Sequence, residues 1–309
     1  MAVPESRPAI IAALIGNGLI AVTKGIAAAI TGSSAMLSEA VHSLVDCGNE
    51  VLLLYGQHRS SRPADEVHPF GYGRELYFWC FVVALMIFAL GAGISIYEGV
   101  IHIRHPEAIT KPYINFIVLG LAFVFESVSW FVAWRGFQRV RGDGSIWHVV
   151  RASKDPTMFM VLFEDTAALI GIVIAAVGTG LAVAYDAPWI DGSASILIGL
   201  VLAAVAGVLA RESKNLLIGE RADPILQEAI REAADREACV RSVRRVLTTH
   251  MAPDQVIATM DVEFDDRLTI PDVEKLIGRI ERGLRDRHPE LSRVFIRPEP
   301  RVTSGIDRV

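Results

Sequence analysis

Apolar residues along the chain fall into six long stretches that are separated by shorter polar connections. Each stretch is about 20 residues or more, which is the length that an α-helix needs to cross the hydrocarbon core of a membrane. The six stretches are Ala9–Ile30, Met36–Tyr55, Leu76–Ile101, Tyr113–Trp134, Met158–Ala184 and Ser193–Ala210. From Arg211 onward charged residues are frequent and no further stretch of this kind occurs. The pattern predicts an all-α, six-helix transmembrane domain over residues 1–211 and a smaller domain over residues 212–309.

The tail after the sixth stretch shows a different periodicity. Helical spacing over Pro224–Glu237 is followed by two strand-like segments, Val243–Thr249 and Val256–Phe264. Pro271 then opens a second helix over Val273–Asp286, and Arg293–Arg297 forms a last short strand. This αββαβ order predicts a ferredoxin- or metallochaperone-like α+β domain, with helices on one face of a small antiparallel sheet. Its predicted core residues are Leu226, Ile230, Val246, Val262, Leu276, Ile280 and Leu284.

Composition and charge agree with a membrane protein. The chain is 52% hydrophobic with a net charge of -5, and its mean hydropathy is +0.39. The first apolar stretch has no preceding basic cluster and no small-residue cleavage site, so we interpret it as a retained helix. Basic residues concentrate in the connections after the second and fourth stretches, which predicts that both termini are cytoplasmic. The mixed charges of the tail argue against binding to nucleic acid.

The three cysteines, Cys47, Cys80 and Cys239, show no paired spacing. A disulfide framework or a cysteine-rich zinc site is therefore not expected. Cys47 is next to Asp46 but points in another direction on a helix, and we interpret it as a small buried hydrophobic residue.

His42 and Asp46 are the most informative residues of the chain, because they are ionisable and lie within an apolar stretch. Their spacing of four places both side chains on one face of a helix. Ionisable groups at membrane depth are costly and usually mark a path for ions or protons. Imidazole and carboxylate are also ligands for zinc and neighbouring metals. The alternative is a helix end whose polar residues reach interfacial water.

The fifth stretch carries Glu164 and Asp165, which as neighbours on a helix point about 100° apart. Only one of them is therefore expected to face the same partner as His42 and Asp46. If that residue is Asp165, the cation ligands are His42, Asp46 and Asp165. Two carboxylates and one imidazole neutralise a divalent cation, and an empty site of this kind needs protons instead. Alternatively, Glu164 or Asp165 is an interhelical hydrogen-bond partner.

Several further polar residues are candidates for additional ligands or proton sites. Glu164 and Glu126 are two, and Glu39, one turn before His42, is expected at the outer mouth. Asn17 and Lys24 are candidates for lining a cavity, with Lys24 more simply paired with a carboxylate. In the connection after the second stretch, Asp65 and His68 flank a tight turn and form a candidate loop metal site, or are ordinary solvated loop residues.

Two motifs carry a resemblance to a known family. The first is Gly32-Ser33-Ser34-Ala35-Met36-Leu37-Ser38-Glu39-Ala40-Val41-His42-Ser43-Leu44-Val45-Asp46, and the second is Arg62-Pro63-Ala64-Asp65 with His68-Pro69-Phe70-Gly71-Tyr72-Gly73-Arg74-Glu75. With Tyr97-Glu98-Gly99 and Asp191-Gly192, six helices and the αββαβ tail, the chain resembles the cation diffusion facilitator family over nearly its whole length. The resemblance implies a homodimer that exports divalent cations by proton exchange, with a transport site between the second and fifth helices.

The chain departs from the family pattern at three places. The family takes two ligands from the fifth helix, but the earlier position is Val161, which leaves the fourth ligand to water, Glu164 or Glu126. The segments Asp155-Pro156-Thr157 and Glu164-Asp165-Thr166-Ala167-Ala168 look like a branch that includes mitochondrial zinc-transporter-like members. Tyr72 stands where zinc-transporting relatives often have a second loop histidine. The tail contains only His250 and His288, so we expect it to dimerise without a zinc cluster.

These observations predict a secondary active transporter and not an enzyme, since no nucleophile constellation occurs. It has no resident cofactor, and zinc is the first expected cargo. The alternatives are iron, manganese or cobalt efflux by the same mechanism, and a metal-responsive membrane sensor that no longer transports. A homodimer in a bacterial plasma membrane is the expected assembly and location.

Overall fold

A computed structural model describes residues 7–141 and 154–300 of the chain. The chain divides into two compact units. The first contains the long apolar helices up to Lys214, and the second contains the chain from Asn215 together with the loop Arg62–Arg74. Part of the basic connection that the sequence places between the fourth and fifth apolar stretches, residues 142–153, lies outside the described residues.

The first unit is built from helices that match the six apolar stretches. They are α1 (Arg7–Thr31), α2 (Ser34–Ser60), α3 (Arg74–Met86), a π-helical turn (Ile87–Ala92), α4 (Gly93–Arg104), α5 (Pro112–Arg141), α6 (Pro156–Ala184) and α7 (Trp189–Ile218). The third stretch is thus one apolar run, Arg74–Arg104, with a π turn inside it. Among the described residues, four runs are long and apolar enough to cross a membrane: Arg74–Arg104, Pro112–Gln138, Phe159–Ala184 and Trp189–Ile218.

Among the described side chains of α1, an apolar segment covers Asn17–Thr31. The helix α2 is more polar than its neighbours because its buried face carries Glu39, His42 and Asn49. The helical transmembrane domain predicted from the sequence is confirmed.

Local capping fixes where several helices begin. Ser33 is the N-cap of α2, and its hydroxyl accepts a 3.1 Å hydrogen bond from the backbone N–H of Met36. Asp155 caps α6 in the same way, accepting a 3.0 Å bond from the N–H of Thr157, with Pro156 in the first turn. These caps fix the first residues of α2 and α6, which carry polar residues described below.

The second unit has the predicted order of elements. It contains α8 (Pro224–Asp235), β1 (Val240–Ala252), β2 (Gln255–Phe264), α9 (Ile270–Arg287) and β3 (Leu291–Pro298). All seven predicted core residues belong to one hydrophobic cluster, and among these seven only Val246 is partly exposed. Alternate residues of β2, from Val256 to Phe264, point into this cluster.

The expectation of an antiparallel sheet is wrong for one strand pair. The strand order is β1-β2-β3, with β1 antiparallel to β2 but β3 parallel to β2. The physical reason is the crossover: α9 carries the chain back along the sheet, so β3 starts at the same end as β2. The sheet is therefore mixed.

Candidate cation site in the membrane domain

The buried face of α2 presents the two residues that the sequence singled out. His42 Nδ1 lies 3.4 Å from Asp46 Oδ1, and only 1% of the His42 side chain is exposed. Within the described part of the chain, neither ring nitrogen of His42 has a hydrogen-bond partner, and Asp46 Oδ1 has none either. Buried polar atoms in native proteins are almost always bonded, so these atoms suit a ligand that binds them.

A cavity of about 50 Å³ opens beside Asp46. It is bordered by side chains from α1, α2, α5 and α6, namely Asn17, Ser43, Asp46, Glu50, Leu53, Glu126, Ser129, Val161, Glu164 and Asp165. Five of these are carboxylates, and none of these lining residues is lysine or arginine. Such an acidic cavity inside a membrane domain needs bound cations or protons to be stable.

The carboxylates of α6 differ from the expectation in one respect. Glu164 accepts a 2.6 Å hydrogen bond from Asn49 Nδ2 on α2. Asp165 accepts a 2.9 Å bond from Ser129 Oγ on α5. Both neighbours border the same cavity, although the helix geometry predicts that only one of them faces it. Asp165 as a cation ligand stays a prediction.

The predicted ligands are neighbours but do not form a finished coordination shell. Among residues 7–141 and 154–300, no group of three or more His, Cys, Asp and Glu side chains stands at metal-binding distances. Asp46 and Asp165 line the cavity, and His42 lies beside Asp46. Val161 forms an apolar part of the wall at the position where the family pattern takes a ligand. Binding a cation here therefore requires side-chain movement.

The expectation that Glu39 lies at an outer mouth is wrong. Its side chain is fully buried, and its Oε2 is 2.9 Å from Lys24 Nζ. Lys24 also donates a 2.8 Å hydrogen bond to Ser43 Oγ. Lys24 is therefore paired with a carboxylate rather than extended to the membrane surface. The candidate Glu126, by contrast, does line the cavity.

Three site residues were missed by sequence reasoning. Glu50 lines the cavity and accepts a 2.6 Å bond from Asn17 Nδ2, while Asn49 and Ser129 bind Glu164 and Asp165. The signal for Glu50 was present, because positions 42, 46 and 50 continue one four-residue spacing along α2.

The loop residues Asp65 and His68 form a turn rather than an open ligand pair. Asp65 Oδ1 accepts hydrogen bonds from the backbone N–H groups of Val67 (3.0 Å) and His68 (2.6 Å), and its Oδ2 accepts a 2.6 Å bond from Tyr72 Oη. The Tyr72 hydroxyl and these amides hold the pKa of Asp65 below its usual range. His68 packs on the Tyr72 ring with centroids 4.2 Å apart. The loop metal site stays a prediction.

Two domain models agree with this architecture. The model described as "Cation efflux transmembrane domain" matches residues 10–218, and "Cation efflux protein, cytoplasmic domain" matches residues 222–301. The chain belongs to the cation diffusion facilitator family. The resemblance that the sequence motifs indicated is thereby confirmed, and the transmembrane helices with the small α+β tail are the fold of this facilitator.

Three individual proteins are similar to this chain over most of its length. The mitochondrial proton-coupled zinc antiporter SLC30A9 of Xenopus laevis is 34% identical over 84% of this chain and 47% of its own length. Metal tolerance protein C4 of Arabidopsis thaliana is 28% identical over 81% of this chain and 55% of its own. Magnetosome protein MamM of Paramagnetospirillum magneticum is 23% identical over 92% of this chain and 85% of its own. The facilitator spans about half the length of the first two.

Proposed function

We propose that this facilitator is a secondary transporter that moves divalent cations across a membrane in exchange for protons. The observation that carries the proposal is the cavity with five carboxylates next to His42, inside the transmembrane domain. Support comes also from the zinc antiporters and the metal tolerance protein to which the chain is similar.

Proton exchange follows from the charge of the cavity. Five ionised carboxylates would repel one another strongly in a medium of low dielectric constant. Asp46 and Glu164 line the same cavity, so protons bound to some of these carboxylates would relieve the repulsion. An arriving divalent cation displaces such protons, and its departure requires them again. This gives an exchange of cation for protons without further machinery.

We propose that the ligands are His42, Asp46 and Asp165, with Glu164 and Glu126 as further oxygen donors. One imidazole with carboxylates is a ligand set for Zn²⁺, which makes zinc the first cargo to test. With Val161 in the wall, the site is poorer in nitrogen and richer in oxygen, which favours iron or manganese as alternative cargo. A metal panel separates these cargoes.

The decisive experiment is metal-driven proton flux in proteoliposomes that contain the full chain. We expect Zn²⁺ on one side to drive proton movement, and we expect Asp46→Asn and Asp165→Asn to abolish it. Glu98→Gln on α4 is the matched control, because Glu98 is a partly buried carboxylate that does not line this cavity. Wild-type flux in the Asp46 variant would exclude the site. Metal binding without any flux in the wild type would favour the sensor hypothesis.

We also propose that the tail pairs with a second copy of the chain. Leu247 and Phe295 both pair with Thr259, so the three residues form one row across the sheet, on the face opposite the helices. Both apolar side chains are about half exposed. The isolated tail should sediment as a dimer in chelator, and Leu247→Glu should shift it to monomer. A tail that dimerises only with stoichiometric zinc would contradict this proposal.

Orientation and location are part of the proposal as well. The basic residues after α2 and α5 support cytoplasmic termini. Labelling of single cysteines introduced at the tail and at the α1–α2 connection, in sealed vesicles, tests this orientation. Location in a bacterial plasma membrane stays a prediction, since the Xenopus relative is described as mitochondrial.

A further inference from the structure

Lys24 places a positive charge inside the membrane domain. Its side chain is completely buried, with Nζ 2.9 Å from Glu39 Oε2 and 2.8 Å from Ser43 Oγ. A buried ion pair of this kind is seldom a net gain in stability, because both charges lose their hydration. A simpler apolar contact would join α1 to α2 equally well, so the charge itself requires a reason.

The position of Lys24 relates it directly to the acidic cavity. Ser43, which accepts its hydrogen bond, is one of the cavity-lining residues together with Asp46. Asn17, two helical turns before Lys24 on α1, contacts Glu50 at the other end of the cavity. The same face of α1 therefore follows the polar face of α2, and the charge of Lys24 is hydrogen-bonded to a residue that lines the cavity.

Glu39 contacts this charge through one of its two oxygens. Its Oε2 binds Lys24, but its Oε1 is buried and has no hydrogen-bond partner in the described part of the chain. Oε1 points at Gly171 of α6, where an added Cβ atom would collide with it. Glycine at this position leaves room for the carboxylate beside Lys24. The pair is thus held at one oxygen, close to a cavity that attracts cations.

We propose that Lys24 is an affinity-determining residue, whose fixed charge weakens cation binding at Asp46 and its neighbours so that the cation is released. Glu39 sets how much of that charge the cavity experiences. This inference rests on the proposed transport function. A cavity with five carboxylates and no opposing charge would hold a divalent cation too tightly to transport it, because Coulomb forces are strong at low dielectric constant.

The alternative is that Lys24 and Glu39 merely tie α1 to α2. The two explanations predict different changes in Zn²⁺ affinity when the two charges are removed singly and together. If the charge matters, Lys24→Met tightens Zn²⁺ binding, by about tenfold or more, and Glu39→Gln weakens it, while the double variant lies near the wild type. If the pair is only a tie, both single variants change binding in the same direction and the double variant is no better than either.

The experiment is calorimetric titration of the purified full chain with Zn²⁺, combined with zinc transport in proteoliposomes. We expect Lys24→Met to lower both KM and the maximal rate, since tight binding slows release. Should Glu39→Gln fail to fold with its unpaired lysine, Lys24→Met and the double variant still decide the sign. Unchanged or weaker binding by Lys24→Met would overturn the inference. A wild-type chain that binds Zn²⁺ but transports none would instead refute the proposed function.

Discussion

Asn49 on α2 donates a 2.6 Å hydrogen bond to Glu164 Oε1 on α6, and both residues are buried. Because Glu164 borders the cavity together with Asp46, this amide orients a carboxylate of the candidate cation site. A hydrogen bond to an ionised group contributes about 1.5–3 kcal/mol, so its loss is measurable as a change in affinity. Asn49 is therefore a residue through which cation binding can be altered without removing a ligand.

We predict that Asn49→Leu weakens Zn²⁺ binding by roughly ten- to a hundredfold, because Glu164 loses the donor that holds its ionised form. Calorimetry on the purified chain measures the affinities of the wild type and of the leucine variant. Equal affinities would show that the contact does not orient Glu164.

A second prediction concerns the loop. Tyr72→His replaces the hydroxyl that binds Asp65 Oδ2 and adds an imidazole beside His68. We expect one additional Zn²⁺ bound per chain, because three ligands then converge where two stood before. Tyr72→Phe is the matched control, since it frees Asp65 without adding a ligand. Identical zinc stoichiometry in the two variants, measured by calorimetry in the Asp46→Asn background, would contradict the prediction.

The structure of the tail can be predicted from the sequence better than that of the membrane site. Alternation from Val256 to Phe264 identifies a half-buried strand and its inward face. The direction of β3 is not encoded in its eight residues, since it depends on the crossover made by α9. Periodicity locates elements, whereas pairing direction is a property of their connections.

The sequence does not determine how α6 is rotated about its own axis. This helix is apolar around most of its circumference, so no amphipathic face indicates which of Glu164 and Asp165 points to α2. The contact with Asn49 decides it, and that contact joins residues 115 positions apart. On α2 the periodic polar face made His42 and Asp46 predictable.

A third prediction tests the close packing of α4 against α7. A Cβ atom on Gly99 would lie 2.5 Å from the carbonyl oxygen of Gly192, so Gly99→Ala must push the two helices apart. We expect a loss of about 1–3 kcal/mol in stability, seen as a lower thermal midpoint in detergent. Gly120→Ala is the control, because nothing lies within 4 Å of its Cβ position. Its midpoint should stay unchanged or rise, and a fall equal to that of Gly99→Ala would refute the packing argument.

The last prediction concerns the pH dependence of the tail. His250 on β1 is buried beside the carbonyl oxygen of Ala252, which lies 3.3 Å from its Nδ1. Burial lowers the pKa of His250 below its ordinary value. In the unfolded chain this histidine takes up a proton near pH 6.5, whereas the folded tail does so only at lower pH. Tail stability is therefore greatest above about pH 6.5 and falls as the pH decreases, by at most about 1.4 kcal/mol per pH unit.

Hydrogen exchange of the β1 and β2 amides in the full chain, corrected for intrinsic exchange rates, measures this dependence. We expect His250→Phe to reduce the loss of protection between pH 6.5 and 5, because phenylalanine fills the space without titrating. His288→Phe is the control, since His288 is more exposed and lies 3.5 Å from Glu290 at the end of α9. A full loss of protection in the His250 variant would assign the pH dependence to another group. Since β2 is the central strand of the sheet and pairs with β1, that result would also show that burial of His250 does not limit the stability of the tail in acid.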